Sequence, residues 1–367
     1  MTMSAPQARP VADDIATWLE GSALDLDHSA SGAGDVLPRL ADAGLFAIGV
    51  PWQWGGAGGD IIGAVRAITE VSEESLTAGF VFWGQRTFVE YLLQSPNAAL
   101  REQLLPDLLS GRRAGATGLS NAMKFLAGIE ELQVRASHAD GGRLRIDGKL
   151  PWVTNLPVSG FDVAAAIKGA DGEPDFVGVL SSEDLGVARS ADLDLMAMRG
   201  SNTAAIKIDH ALIGRDRILH TKAGEWLPVV RPAFLAMQCA MAIGLARKSL
   251  RVAQTKLGDG REVFAGTIDE LLRDLSAVQA QLEAGLRDGR FVSQAAQLFR
   301  IRIRLSEIAT EAVNLELCAT GGKAYLTQPG GDIQRRLREM AFIPLITPSI
   351  SQLKTVLRAQ ETLVAAQ

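Results

Sequence analysis

The residue types best suited to chemistry gather in Ile146–Gly160, IDGKLPWVTNLPVSG. Asp147-Gly148 reads as a turn signal, and Lys149 follows it. Trp152-Val153-Thr154-Asn155 comes next, and its β-branched and aromatic members favour a strand. Pro151 and Pro157 bracket the run. Proline withholds an N–H from the ladder, so this predicts an edge strand or a strand end. Side chains alternate along a strand, which puts Trp152 and Thr154 on one face. A flat indole beside a hydroxyl donor suits a large planar heterocycle such as a flavin. The competing account is an ordinary strand whose tryptophan fills a core.

Other reactive residue types are sparse. His28, His138, His210 and His220 lie far apart, and no spacing resembles a metal site. Cys239 and Cys318 both fall in apolar helical patterns, which predicts a reducing compartment and no disulfide framework. The run Gly55-Gly56-Ala57-Gly58-Gly59 lacks a preceding strong strand and the Lys-Ser/Thr ending of a phosphate-binding loop, so it reads as a flexible connection.

The elements that position these residues follow from length and period. The 367 residues exceed one typical core and predict two or three domains. Hydrophobic residues at 47% and charged residues at 22% give a globular balance. The net charge of -5 disfavours nucleic acid and anionic membrane surfaces as partners. No apolar run is read as long enough to span a bilayer, and MTMSAPQARP lacks a signal-peptide core. A cytoplasmic protein with a disordered N-terminus is the expectation.

Three zones are expected: a helical domain over residues 1–113, a β-domain over 114–222 and a helical bundle over 223–367. In the first, Leu37, Leu40, Leu45 and Phe46 give a helical stripe, and helical pattern resumes over Ile61–Val71 and Leu100–Leu109. In the second, short runs at Leu132–Ala136, Leu144–Ile146, Val163–Ile167, Phe176–Leu180 and Ala204–Ile208 predict a small barrel or sandwich. In the third, Ile268, Leu271, Leu272, Leu275, Val278 and Leu282 share one helical face, and Leu298, Ile301, Leu305, Ile308, Ala312 and Leu315 share another.

With that order of zones, several segments resemble the acyl-CoA dehydrogenase superfamily of flavoproteins over nearly the whole chain. GLFAIGVPWQWGG is similar to its Gly-Leu-Phe…Pro…Gly-Gly loop, and Ala116–Asn121, ATGLSN, to its Leu-Thr/Ser-Glu-Pro segment. GKLPWVTN resembles its flavin-facing Trp-Ile/Val-Thr-Asn strand. Met198–Leu219 resembles the strand pair that closes the β-domain. REVFAGTI, with Arg261, Phe264 and Ile268, resembles an Arg-x-x-Phe-Gly motif, and Cys318–Tyr325, CATGGKAY, a Gln-x-x-Gly-Gly-x-Gly-Tyr turn. Arg335, Arg336 and Arg338 fall where the family carries an arginine-rich helix start. The resemblance implies an α+β, mainly α fold: an N-terminal helical domain, a central small β-barrel domain and a C-terminal four-helix bundle. It implies FAD as cofactor. Trp152 and Thr154 would meet the flavin ring, with Leu119 and Ser120 on its pyrimidine side. Arg261 and Phe264 would meet the phosphate and adenosine part bound to a neighbouring subunit, and Gly321 and Gly322 would let backbone approach the cofactor. A homotetramer, or at least a homodimer, is implied.

The departures bear on function. The usual Glu-Gly-Thr base segment reads Leu345-Ile346-Thr347-Pro348-Ser349, so Pro348 stands at the Glu position. The alternative base position on the first C-terminal helix holds Val230, before Arg231. Glu225 and Glu339 are near in sequence and read as surface carboxylates. Lys124-Phe125-Leu126-Ala127 replaces the Gly-Ser-Asp segment, Asn121 the Glu, and Cys318 and Leu272 two glutamines. Fewer polar contacts predict weak flavin retention. No catalytic base and no metal ligand is named. Three readings stand: a flavin-dependent dehydrogenase of acyl-CoA or a related thioester, served by an electron-transfer flavoprotein; a two-component monooxygenase using oxygen and flavin from a separate reductase; and a flavin-binding protein without turnover.

Overall fold

The computed structural model describes residues 11–258 and 260–365. The expected disordered N-terminus lies outside them. Five helices come first: α1 (Asp13–His28), α2 (Ala33–Asp42), α3 (Ile61–Glu74), α4 (Leu76–Gln94) and α5 (Ala98–Leu109). The starts of α3, α4 and α5 are fixed by side-chain caps, in which Asp60 accepts from the backbone N–H of Ile62 and Gly63, Ser75 from Ala78 and Asn97 from Leu100. Helix α4 is buried on every side from Leu76 to Leu92. A helix buried all round belongs in the middle of a core, and α4 packs between α3, the long helix Ala223–Thr255 and the first strand.

The strands are β1 (Ala114–Thr117), β2 (Val134–His138), β3 (Leu144–Val153), β4 (Phe161–Lys168), β5 (Phe176–Ser181), β6 (Val187–Asp192), β7 (Ala204–Ile213) and β8 (Ile218–His220), with the short helix α6 (Ser120–Leu126) after β1. They form one eight-stranded sheet, in the order β6-β7-β3-β2-β4-β5-β8, with β1 joined to β4. One set of alternating side chains, including Leu144, Val163, Phe176, Ile206 and Ile218, shares a single apolar cluster. Contributions from strands at both ends of the path require the sheet to curl around its own core. The opposite face, with Ala164, Ala166, Val177 and Val179, joins the helical core.

Two expectations about the central stretch change. Asp147-Gly148 makes no turn; it lies inside β3, where the pairing with β7 shifts between Ile146 and Gly148. Gly148 has φ 145 and fits so closely that a Cβ there would stand 2.4 Å from the Gln133 carbonyl oxygen. Nor is β3 an edge strand, since it pairs with β2 on one side and β7 on the other, but the other expected place, a strand end, holds, because β3 closes at Val153 within the Trp-Val-Thr-Asn run. Pro151 is tolerated because it sits in a second register shift, between Leu150 and Val153, where no ladder N–H is needed.

After the sheet come α7 (Ala223–Thr255), α8 (Ala265–Arg287), α9 (Ala295–Thr320), α10 (Thr327–Phe342) and α11 (Ile350–Ala365). Helix α7 is the axis of this part and packs on α3, α4, α8 and α9. Contrary to the expectation that no run is long enough, it is long and apolar enough to cross a bilayer, but 83% of its most apolar stretch is buried inside the protein. Cys239 is buried in α7, and burial pushes its thiol up to about 12. Cys318, on α9, is exposed.

Candidate active site

A cleft of about 580 Å³ opens between the sheet and the helical core. On the sheet side it is lined by Thr117, Ser120, Lys124, Trp152 and Thr154. On the helical side stand Phe80, Trp83, Phe234, Arg338, Phe342 and the segment Leu345–Thr347, with Leu195–Met198 at the rim. The size lies within the range that holds a small-molecule ring system.

The Trp-Val-Thr-Asn stretch is held by buried polar bonds. Asn155, with φ 60, adopts the left-handed conformation that asparagine tolerates. Its Nδ2 donates to Gln85 Oε1 at 2.8 Å and to the Gly115 carbonyl at 2.9 Å. Gln85 Nε2 donates in turn to the carbonyls of Leu108 and Arg113. One glutamine on α4 thus ties β1 and the end of β3 to the helical core. Sequence reading missed Gln85, because nothing local marks a helical glutamine as buried. Trp152 and Thr154 both line the cleft, but Trp152 is 60% exposed whereas Thr154 is buried.

The Thr154 hydroxyl donates to the Ser201 carbonyl at 3.1 Å. Its proton is therefore engaged within the protein, and its lone pairs are what remain for a bound ring. Thr154→Val is expected to lower the unfolding free energy by about 1 kcal/mol. It should weaken flavin binding by about tenfold or less. Parallel denaturant and flavin titrations check both; unchanged values in both would show that the hydroxyl serves neither role.

Neighbouring groups are positioned in the same way. Thr117 Oγ1 lies 3.0 Å from the Tyr91 hydroxyl, whose pKa burial raises. Asn121 Nδ2 donates to Glu130 and to the Glu131 carbonyl, and its Oδ1 accepts from the Gln133 N–H. Lys124 donates to Glu130 at 2.5 Å and holds that carboxyl below its usual range. The residues that replace the family pattern here thus lock α6 against the chain that follows it. Leu119 is buried in the helical core, and only its neighbour Ser120 faces the cleft.

Arg261, Phe264, Gly321 and Gly322 do not line the cleft. Arg261 lies against Gly321, where an added Cβ would sit 3.2 Å from its Nη2. Gly321 caps α9 at φ 67, and the exposed Gly322 follows it in a 3-10 turn. Phe264 opens α8 and packs half-buried on the core. Arg261 and Gly321 thus meet away from the cleft that Trp152 and Thr154 line.

Among the described residues lining the cleft, none is Asp, Glu or His. Val230 and Pro348 are both buried. Glu225 is exposed and pairs with Lys222. Glu339 differs from its expected surface place: it is 1% exposed, pairs with Arg335 at 2.7 Å and accepts from the Leu76 N–H at the start of α4. It is a structural tie, and it lies outside the cleft lining. The histidines also regroup, since His210 comes within 2.8 Å of Asp147 and 2.9 Å of Asp209. That cluster offers metal-ligating atoms, but it is largely exposed and its members already bond one another.

The comparisons with known proteins agree with this architecture. Residues 11–112 match the acyl-CoA dehydrogenase N-terminal domain. A probable acyl-CoA dehydrogenase of Mycobacterium leprae, fadE25, is 26% identical over 93% of this chain and 90% of its own length. Butyryl-CoA dehydrogenase from Megasphaera elsdenii superposes with a TM-score of 0.77 at 16% identity, covering 98% of this chain and 100% of that one. KijD3 in complex with FMN and a dTDP-linked amino-keto sugar superposes with a TM-score of 0.79 at 19% identity, covering 95% of this chain and 91% of that one. Residues 11–112 thus carry the acyl-CoA dehydrogenase N-terminal domain, the whole chain has the acyl-CoA dehydrogenase fold, and its likeness to named dehydrogenases supports a flavin-using oxidoreductase.

Proposed function

We propose that this protein binds a flavin in the cleft and uses it with molecular oxygen to oxidise a substrate that need not carry CoA. The observation that carries this reading is the cleft lining, which holds hydroxyls, aromatic rings, Lys124 and Arg338, but no carboxylate or imidazole among the described residues. Dehydrogenation of an acyl thioester needs a general base within hydrogen-bond reach of the α-carbon proton. Monooxygenation needs no such base. Reduced flavin supplies two electrons and oxygen supplies its atoms, one going to the substrate and the other to water. The KijD3 complex supports the reading, since a protein of this fold holds FMN beside a nucleotide-linked sugar.

The residues fit a flavin ring. Trp152 offers a flat face, Ser120 and Thr154 offer hydroxyls, and the aromatic wall opposite excludes water. FAD is the cofactor expected of the superfamily, and its adenosine end would extend beyond this cleft. We assign that end to Arg261, Phe264, Gly321 and Gly322 of a second copy. The guanidinium of Arg261 suits a phosphate as a planar fork of donors. Sedimentation should then show at least a dimer, and a mass of only 39.1 kDa at micromolar concentration would overturn this assignment. A reductase that delivers reduced flavin is the partner this chemistry calls for.

Oxidation of an acyl thioester is the second reading, favoured by the names of the curated relatives. Anaerobic incubation separates the two. With flavin-loaded protein and butyryl-CoA, the flavin absorbance is expected to persist. Bleaching of the flavin would establish dehydrogenation and overturn the proposal.

A further inference from the structure

Four aromatic side chains from three helices meet on the helical wall of the cleft. Phe80 and Trp83 stack with ring centroids 5.5 Å apart at 11°. Phe342 meets Phe80 edge-on at 4.7 Å, and Phe234 meets Trp83 edge-on at 5.3 Å. The Trp83 indole N–H is turned to the Phe234 carbonyl, 3.4 Å away. All four rings line the void.

Arg338 stands on the same wall. Its Nε and Nη2 donate to Asp27 Oδ2 at 2.9 and 2.6 Å, and Nη2 also lies 2.5 Å from His28 Nε2. Asp27 is fully buried, and its other oxygen accepts from the Met198 N–H. The guanidinium is thereby fixed in orientation. Nη1 has no protein partner among the described residues and is not enclosed. A planar guanidinium with one edge engaged presents the donors of its free nitrogen elsewhere.

We infer that the substrate is a planar aromatic molecule bearing an oxyanion, a carboxylate or a phosphate, with its ring against Phe80, Trp83, Phe234 and Phe342 and its oxyanion on Arg338. This deepens the proposed oxygen-dependent reading and rests on it. A flexible acyl chain gains little from ring edges and faces. A flat ring gains an aromatic contact beyond its buried area. Asp27 neutralises Arg338, so the preference for an anion over a neutral acceptor should be moderate.

The test measures dissociation constants of simple probes with FAD-loaded protein, read by the flavin difference spectrum. The same titrations of protein without flavin are read by intrinsic tryptophan fluorescence, to which Trp83 and Trp152 contribute. Benzoate or phenyl phosphate is expected to bind about fivefold more tightly than cyclohexanecarboxylate. Either should exceed benzyl alcohol by about fivefold, the gain of a charge-assisted over a neutral hydrogen bond. The tighter of the two anions identifies the oxyanion. Arg338→Gln should abolish the preference over benzyl alcohol, and Arg338→Lys should retain part of it. Phe342→Leu, at a half-buried position, should reduce the preference over cyclohexanecarboxylate even if Arg338→Gln fails to fold. Equal affinities for ring, saturated ring and neutral probe would overturn the inference while leaving the oxygen-dependent reading in place. Bleaching by butyryl-CoA would overturn that reading whatever order the probes bind in.

Discussion

Arg336→Met is expected to destabilise the protein by about 4 kcal/mol. Arg336 on α10 donates through Nε to Glu316 Oε2 at 2.8 Å and through Nη2 to Glu316 Oε1 at 2.5 Å. Both side chains are almost wholly buried. Such a pair adds modest net stability, because desolvating two charges offsets most of their attraction. Removing one partner is different, since it leaves a carboxylate buried without a counter-ion. The double variant Arg336→Met with Glu316→Met should therefore recover most of the loss. Denaturant midpoints of the wild type, both single variants and the double variant measure this coupling. A double variant as unstable as the sum of the singles would show that the pair acts through packing alone. The pair joins α10 to α9, and α10 carries Arg338, Ala341 and Phe342 to the cleft. The single variant should accordingly also weaken ligand binding.

Gly148→Ala is expected to cost about 3 kcal/mol, the upper range for a residue forced into a disfavoured backbone region. At φ 145 an L side chain is strained, and the new Cβ would meet the Gln133 oxygen at 2.4 Å and the Val134 Cα at 2.8 Å. These are backbone atoms, so β2 and β3 would have to part. Because β3 runs on to Trp152, and Thr154 follows directly, flavin retention should fall along with stability. Gly141→Ala provides the contrast: it has φ 71 but open space at its Cβ position, so it carries backbone strain without a clash. Thermal midpoints and bound-flavin ratios of the two variants measure the difference. Equal losses would show that the bulge tolerates a Cβ.

The sequence by itself determined the succession of helices, strands and helices, because hydrophobic period is a local property. Runs such as Val163–Ile167 and Leu298–Leu315 fall inside β4 and α9. It also determined what the base positions hold, since Pro348 and Val230 cannot take a proton in any fold. Tertiary structure alone decided the rest. Asp147-Gly148 carries the composition of a turn, yet pairing with β7 makes it a bulge, because strand partners supply the hydrogen bonds that a turn would otherwise make internally. Glu339 looks like any helical surface carboxylate until Arg335 and the start of α4 enclose it. Asp27 and Arg338 are 311 residues apart, and the aromatic wall joins positions from Phe80 to Phe342. No period or spacing encodes such meetings. They arise when the buried faces of distant helices pack, and that packing is what turns scattered ordinary residues into a cleft.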